Sequence, residues 1–223
     1  MSGTSAVLPA AGEVLVVCAH PDDESFGLGG VLGLYGEQGT VVRVLCFTHG
    51  EASTLGASPG SLAELRAKEL DAAARVLGVA AVTLHGYPDG QLGEVGLDEL
   101  AALVDEEAAG ADLLLAFDEG GITGHPDHVR ATQAALGASR GLPVLGWALP
   151  EVVAARINTE LGTAFVGRAS DGLDFVVEVD RARQLEAIAC HASQSGDNPV
   201  LWRRLELLGT FEHLRWLTPA PTP

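Results

Sequence analysis

Two short clusters of imidazoles and carboxylates carry the chemistry legible in this chain. His20-Pro21-Asp22-Asp23-Glu24 follows the apolar run Val14-Leu15-Val16-Val17-Cys18-Ala19. His125-Pro126-Asp127-His128 follows a second run, Leu113-Leu114-Leu115-Ala116-Phe117. Zinc takes histidine nitrogen and carboxylate oxygen, and a catalytic zinc site uses three protein ligands and leaves a position for water. His20 and Asp23, three residues apart across a turn, can converge on one ion, and His128 can complete the set from the second cluster. Two imidazoles and one carboxylate leave such an ion positively charged, which brings bound water towards a pKa near ~7. A general base must then lie within reach of that water. Asp22, beside a ligand but facing differently, is the candidate. His125, three residues before His128, is placed to reach a developing oxyanion or a leaving group.

Either cluster alone has a plainer explanation. Proline and aspartate form turns, aspartate caps helices, and two histidines spaced by two residues are often both on the surface. Their joint occurrence at the ends of two strand-like runs favours a site.

The elements that must hold these residues read as an alternation. Strand-like runs near 13–19, 41–47, 79–85, 111–117 and 143–149 are interleaved with helix-like stretches near 25–38, 61–78, 96–110 and 127–140. This predicts an α/β fold of βαβ units with a parallel sheet covered on both faces, and the near-continuously apolar strands agree. Open α/β sheets bind ligands outside the carboxyl ends of their strands. His20, His49, His85 and His128 all fall at or just beyond such ends, with His125 in the same loop as His128. The clearest helix, 61–78, opens on a capping-box pattern of Ser61 and Glu64 and stops at Gly78. It carries Leu62, Leu65, Leu70, Ala73, Val76 and Leu77 on one face. Gly27-Leu28-Gly29-Gly30 reads as close helix packing, not as a dinucleotide loop. Beyond residue 150 the alternation weakens. Asp174–Val179 reads as a strand and Asp180–Gln194 as a helix, while 196–217 gives no clear pattern. The expectation is a single domain over residues 1–217, with 218–223 as a disordered tail.

Composition narrows the class. The chain has 223 residues, 47% of them hydrophobic, enough for a substantial core without disulfides. Its three cysteines, odd in number and without CxxC spacing, read as reduced thiols. A formal net charge of −17 argues against nucleic acid and anionic membrane surfaces as partners. The run 14–19 is far too short to span a bilayer. No Lys or Arg precedes Arg43, so a secretory signal is not expected. The expected location is cytoplasmic, and a homo-oligomer is left open.

Taken together, His20-Pro21-Asp22-Asp23-Glu24 and Gly124-His125-Pro126-Asp127-His128 resemble the LmbE-like (PIG-L) family of zinc-dependent N-acetylglucosaminide deacetylases, which includes the mycothiol and bacillithiol biosynthetic type. Supporting matches are Thr48 with Gly50-Glu51, the helix carrying Arg66 and Glu69, Gly86-Tyr87-Pro88-Asp89-Gly90, and His191-Ala192-Ser193-Gln194. The resemblance implies a Rossmann-like three-layer sandwich with a mostly parallel sheet. It implies one Zn2+ per chain, other divalent metals being admissible, on His20, Asp23 and His128. It gives Asp22 as general base, His125 as oxyanion stabiliser, Asp127 as the carboxylate orienting a histidine, and Arg66 and Asp89 as substrate contacts. The implied substrate is a small N-acetylglucosamine-type amino sugar or glycoside. Two of these residues have equally simple structural readings. Arg66 falls on the apolar face of its helix, where Glu69 is positioned to pair with it, and Pro88-Asp89-Gly90 is a turn signal. His191 reads as a surface or supporting histidine, His49 as a rim residue and His85 as the polar end of a strand. The loops 51–60 and 150–172 are the expected determinants of substrate choice. Competing functional readings are a metal-dependent phosphoesterase, which would often hold two ions, and a non-catalytic sugar-binding protein with a vestigial site.

Overall fold

Alternate residues along the first strand feed two different cores, which is why its sequence is apolar throughout. In the computed structural model, residues 4–55, 59–138 and 141–219 are described, without the side chains of 59–61. The strands are β1 (Glu13–Cys18), β2 (Val41–Thr48), β3 (Ala81–Tyr87), β4 (Leu113–Phe117), β5 (Val144–Trp147), β6 (Leu149–Pro150), β7 (Gly167–Arg168), β8 (Phe175–Glu178) and β9 (Phe211–Trp216). The helices are α1 (Asp23–Phe26), α2 (Gly29–Glu37), α3 (Pro59–Leu77), α4 (Leu97–Glu107), α5 (Gly121–Gly124), α6 (Pro126–Gly137), α7 (Glu151–Leu161), α8 (Ala182–Cys190), α9 (Ala192–Ser195) and α10 (Pro199–Leu208). Val14, Val16 and Cys18 join one apolar cluster with α2 and α3 side chains. Leu15, Val17 and Ala19 join the other with α4 and α6 side chains. Strands β2 and β4 divide in the same way, as a sheet with period two requires when both faces are covered.

Seven strands form one sheet in the order β3-β2-β1-β4-β5-β9-β8. The first five are parallel, while β9 runs antiparallel to β5 and β8 antiparallel to β9. The fold is therefore the expected Rossmann-like three-layer α/β sandwich. After β1 the chain builds outward through β2 and β3. It then returns to the other side of β1 with β4. The order reverses between β1 and β4, which is where ligands bind in such sheets, and both histidine clusters follow these two strands.

Several boundaries differ from the expectation. The stretch 25–38 is two helices, α1 and α2. Gly27 lies between them because a Cβ there would stand 2.4 Å from Phe117 Cε1, so close packing is what its sequence encodes. Helix α3 starts at Pro59, which puts Ser61 inside the first turn instead of at the cap. The run 143–149 divides, with β5 in the main sheet and β6 pairing β7 in a separate two-stranded sheet. The presumed loop 150–172 contains α7, stopped by Gly162 in the left-handed conformation. Residues 196–217 supply α10 and β9. Thr218 is tied down by accepting the amide of Val144 at 2.8 Å. The rest of the tail reading concerns 220–223, and part of the 51–60 loop is 56–58; both lie outside the described residues. Cys18, Cys46 and Cys190 are free thiols, the first two buried. Among the described residues no helix is long and apolar enough to cross a membrane.

Candidate active site

Beyond β1 the chain turns back on itself through Asp23. Its Oδ2 accepts the backbone N–H groups of Ala19 and His20, both at 3.0 Å, which leaves Oδ1 directed at His128 Nε2, 3.2 Å away. His20 Nδ1 lies 3.1 Å from that same His128 nitrogen and 4.0 Å from Asp23 Oδ2. His128, from the second cluster, thus meets ligand atoms of both His20 and Asp23 from the first. A tetrahedral zinc with ordinary bond lengths separates its ligand atoms by roughly 3.3 Å; the two distances to His128 Nε2 match this and the nearest Asp23 oxygen stands 4.0 Å from His20 Nδ1, so these three residues could hold an ion once that third edge closes.

The outward-facing nitrogens support the same set. Metal-bound histidines usually pass their second ring nitrogen to an oxygen. His20 Nε2 faces Asp89 Oδ1 at 2.9 Å and Asp127 Oδ2 at 3.3 Å, and His128 Nδ1 faces the Gly121 carbonyl at 3.2 Å. Asp127 is wholly buried and fixed by the N–H groups of Gly90 (2.7 Å) and Leu92 (3.1 Å). Burial alone would lower the pKa of His20, but Asp127 and Asp89 outweigh it and raise it to about 10. Burial opposes ionisation of Asp23, yet the neighbouring His128 and His20 hold its carboxyl well below the usual range.

Two groups have all their ligand atoms within 4.8 Å of one another: His20, His125 and His128, and His20, Asp89 and Asp127. The bonding of His125 argues against it as a ligand. It is the N-cap of α6, and its Nδ1 accepts the Asp127 N–H at 3.2 Å. A neutral ring accepting at Nδ1 carries its proton on Nε2 and is a donor there. Burial, then the charges of His20 and His128, lower its pKa. The second group is occupied in bracing His20, and both oxygens of Asp127 are already taken by backbone donors.

Asp22 has positive φ (117°), an uncommon conformation for a residue with a Cβ. Burial raises its carboxyl pKa to about 6, with Arg66 pulling the other way. The guanidinium of Arg66 is buried. Nη2 meets Asp22 Oδ2 at 2.8 Å and the Pro21 carbonyl, and Nη1 donates to the Gly50 carbonyl at 2.6 Å. The anticipated Arg66–Glu69 pair is not what forms. Glu69 instead accepts from the backbone N–H (2.9 Å) and hydroxyl (2.6 Å) of Ser193. Asp89 sits in the predicted turn and still reaches the site: Oδ1 faces His20, and Oδ2 accepts the Ala52 N–H at 2.9 Å.

The sequence assigns Glu24 no role and leaves His191 between a surface and a supporting position. Both are wholly buried, so the surface reading of His191 is wrong, and its Nε2 lies 2.7 Å from Glu24 Oε1. Glu24 Oε2 accepts the Asp22 N–H at 2.9 Å. The sequence signals were the acid ending the first cluster and the His191-Ala192-Ser193-Gln194 match. The acid's partner is 167 positions away, beyond any spacing argument. His49 and His85 are not among the described residues lining the cavity, whose volume is about 390 Å³, a size suited to a small molecule. His20, Asp22, Arg66, Asp89, His125 and His128 all line it.

A doubly flanked, mostly parallel sheet with this cluster at its switch point defines an α/β protein with a candidate site where such sheets bind ligands. Residues 15–139 match the model of one family, PIG-L: GlcNAc-PI de-N-acetylase, and the chain belongs to that family. It is 29% identical to the probable N-acetyl-alpha-D-glucosaminyl L-malate deacetylase 2 of Bacillus anthracis, over 93% of this chain and 92% of that one. It is 31% identical to the N-acetylglucosaminyl-phosphatidylinositol de-N-acetylase of Bos taurus, over 90% and 81%. Among solved structures it resembles the N,N'-diacetylchitobiose deacetylase of Pyrococcus horikoshii, crystallised with an inhibitor. The TM-score is 0.65 and the identity 25%, over 93% of this chain and 84% of that one.

Proposed function

We propose that this chain is a zinc-dependent N-deacetylase that hydrolyses the acetamide of an N-acetylglucosamine-type amino sugar or glycoside to acetate and a free amine. The observation that carries the reading is the approach of His128 Nε2 to both His20 Nδ1 and Asp23 Oδ1 beside the half-buried carboxylate of Asp22. The activities named for the family and for its relatives from Bacillus anthracis and Bos taurus support it.

Zinc held by His20, Asp23 and His128 would supply a Lewis acid and a water of lowered pKa. Asp22 takes the proton of the attacking water. Its pKa of about 6 keeps it ionised near neutrality while leaving it basic enough to serve. Arg66, engaged with Oδ2 of Asp22, fixes the carboxylate in place. His125, with its proton on Nε2, donates to the oxyanion that develops on the amide oxygen. Asp127 and Asp89 hold the His20 ring in orientation from its far side. The amine departs with a proton returned by Asp22 or delivered by His125.

The test is a panel of N-acetylglucosaminides incubated with zinc-loaded protein and assayed for free amine, with Asp22→Asn alongside. Release of amine by the native protein, and its loss in a variant that still holds zinc, is expected. Zinc-replete Asp22→Asn with undiminished turnover would remove Asp22 as the base. Two ions per chain would overturn the single-zinc assignment.

A further inference from the structure

The same cavity contains a second buried guanidinium, and this one lacks a carboxylate. Arg204 of α10 is 8% exposed and lines the cavity wall. Nη2 donates to the Phe26 carbonyl at 2.7 Å, Nε has no hydrogen-bond partner, and among the described residues no acid forms an ion pair with it. The carboxylate whose field acts most on it, Glu212, is committed elsewhere. Its Oε2 accepts from Trp147 Nε1 at 2.6 Å and its Oε1 from Arg181 Nη1 at 2.5 Å. Burial lowers the pKa of Arg204 to about 10, so it remains a cation at neutral pH.

A buried charge without a counter-charge is costly, and folded proteins almost always pair one. Arg66, in the same cavity, has two carbonyls and a carboxylate. Arg204 has one carbonyl and a ring face, its Cζ standing 5.3 Å from the Trp147 centroid. That stacking leaves N–H donors of the fork unused. The missing partner of such a fork is a carboxylate or a phosphate.

Its place in the cavity says which part of a substrate would carry that anion. From the His128 ring the wall continues through Phe117 (5.0 Å) to Trp147 (5.5 Å) and then to Arg204. The reacting amide belongs at the histidine end, and an acetyl group carries no charge. An anion beyond two aromatic rings must therefore sit on the glycoside side, with the apolar face of the sugar against the rings. Resting on the deacetylase reading above, we propose that Arg204 determines specificity by binding an anionic group, carboxylate or phosphate, on the aglycone.

The experiment compares three α-glucosaminides that differ only in the end group of the aglycone: carboxylate, phosphate and carboxamide. These are deacetylated products, so calorimetry on the zinc-loaded protein reads binding without turnover. At least one anionic ligand is expected to bind at least ~10-fold more tightly than the carboxamide, and which one identifies the anion. In Arg204→Gln that preference falls to within ~2-fold of unity while carboxamide affinity changes by less than ~2-fold. Equal affinities in the native protein, or equal weakening of all three ligands in the variant, would overturn the assignment. Should Arg204→Gln fail to fold, the native comparison still decides. Turnover of the N-acetyl forms of all three glycosides tests the underlying activity separately. Turnover without anion preference removes the role of Arg204 alone, and anion preference without turnover removes the deacetylase reading alone.

Discussion

His191 Nε2 and Glu24 Oε1 lie 2.7 Å apart with no exposed side-chain surface on either residue. The pair joins the start of α9 to α1. Glu24 Oε2 holds the N–H of Asp22, whose positive φ is a conformation costing an L-residue about 1–3 kcal/mol. The strained backbone beside the proposed base is therefore fastened from the far end of the chain. Removing the imidazole leaves a buried carboxylate without its ionic partner, held only by the Asp22 N–H and the Ser25 hydroxyl. His191→Ala is expected to lower the free energy of unfolding by about 3–5 kcal/mol, read by denaturant titration. A loss under ~1 kcal/mol would mean that the pair is not holding that backbone.

The same pair gives stability a pH dependence of known sign. Burial pushes the pKa of His191 down, but Glu24, with Asp22 and Glu69, outweighs it and raises it above 6.5. A group whose pKa is higher folded than unfolded contributes fully below the unfolded value and loses that contribution as pH rises through the folded value. The stability difference between native protein and His191→Gln is therefore expected to be largest near pH ~6 and to shrink towards pH ~9. A difference that grows over this window would place the sign of the shift in error.

How much of this was legible depended on what each residue had to satisfy. Strands β1, β2 and β4 are covered on both faces, so their sequences had to be apolar and could be read directly. The histidine clusters followed the strands, and the switch point did the rest. Strand β9 defeated pattern reading because Glu212 points inward with no exposed surface, bonded to Trp147 and Arg181. A buried acid satisfied by distant partners looks like a surface residue in sequence. Helix α10 did carry signals, an Asn198 cap with Pro199 at the first turn and Leu201, Leu205 and Leu208 at helical spacing. The partners of Arg66 were hidden for another reason. They are two backbone carbonyls and Asp22, and helical spacing points only to Glu69.

The bracing of His20 by Asp89 and Asp127 leads to a prediction about metal affinity. Groups that orient a ligand histidine typically contribute 10–100-fold to metal binding when intact. Asp127→Asn is expected to weaken zinc binding by roughly that factor, measured by competition with a chelator of known affinity. Metal that binds only the folded state stabilises it by about 2.7 kcal/mol at a free concentration 100 times Kd. Stripping zinc from the native protein should therefore lower its melting temperature, and at equal free zinc Asp127→Asn should recover less. Unchanged zinc affinity in Asp127→Asn would reduce Asp127 to a helix and loop anchor.

Gly50 tests whether Arg66 acts on the base. Its φ is +64°, and a Cβ built there would lie 2.0 Å from Arg66 Nη1 and 2.3 Å from Cζ. Gly50→Ala therefore strains the turn and displaces the guanidinium from Asp22 Oδ2 without touching His20, Asp23 or His128. Displacing a catalytic group by about 1 Å can cost ~100-fold in rate. Gly50→Ala is expected to lower kcat by about that factor while zinc stoichiometry stays at the native level, assayed by amine release on protein of measured metal content. Arg66→Lys keeps the charge but loses the fork that spans Pro21, Gly50 and Asp22, so it should fall between native and Gly50→Ala. If Gly50→Ala retains full kcat, the contact between Arg66 and Asp22 does not position the base.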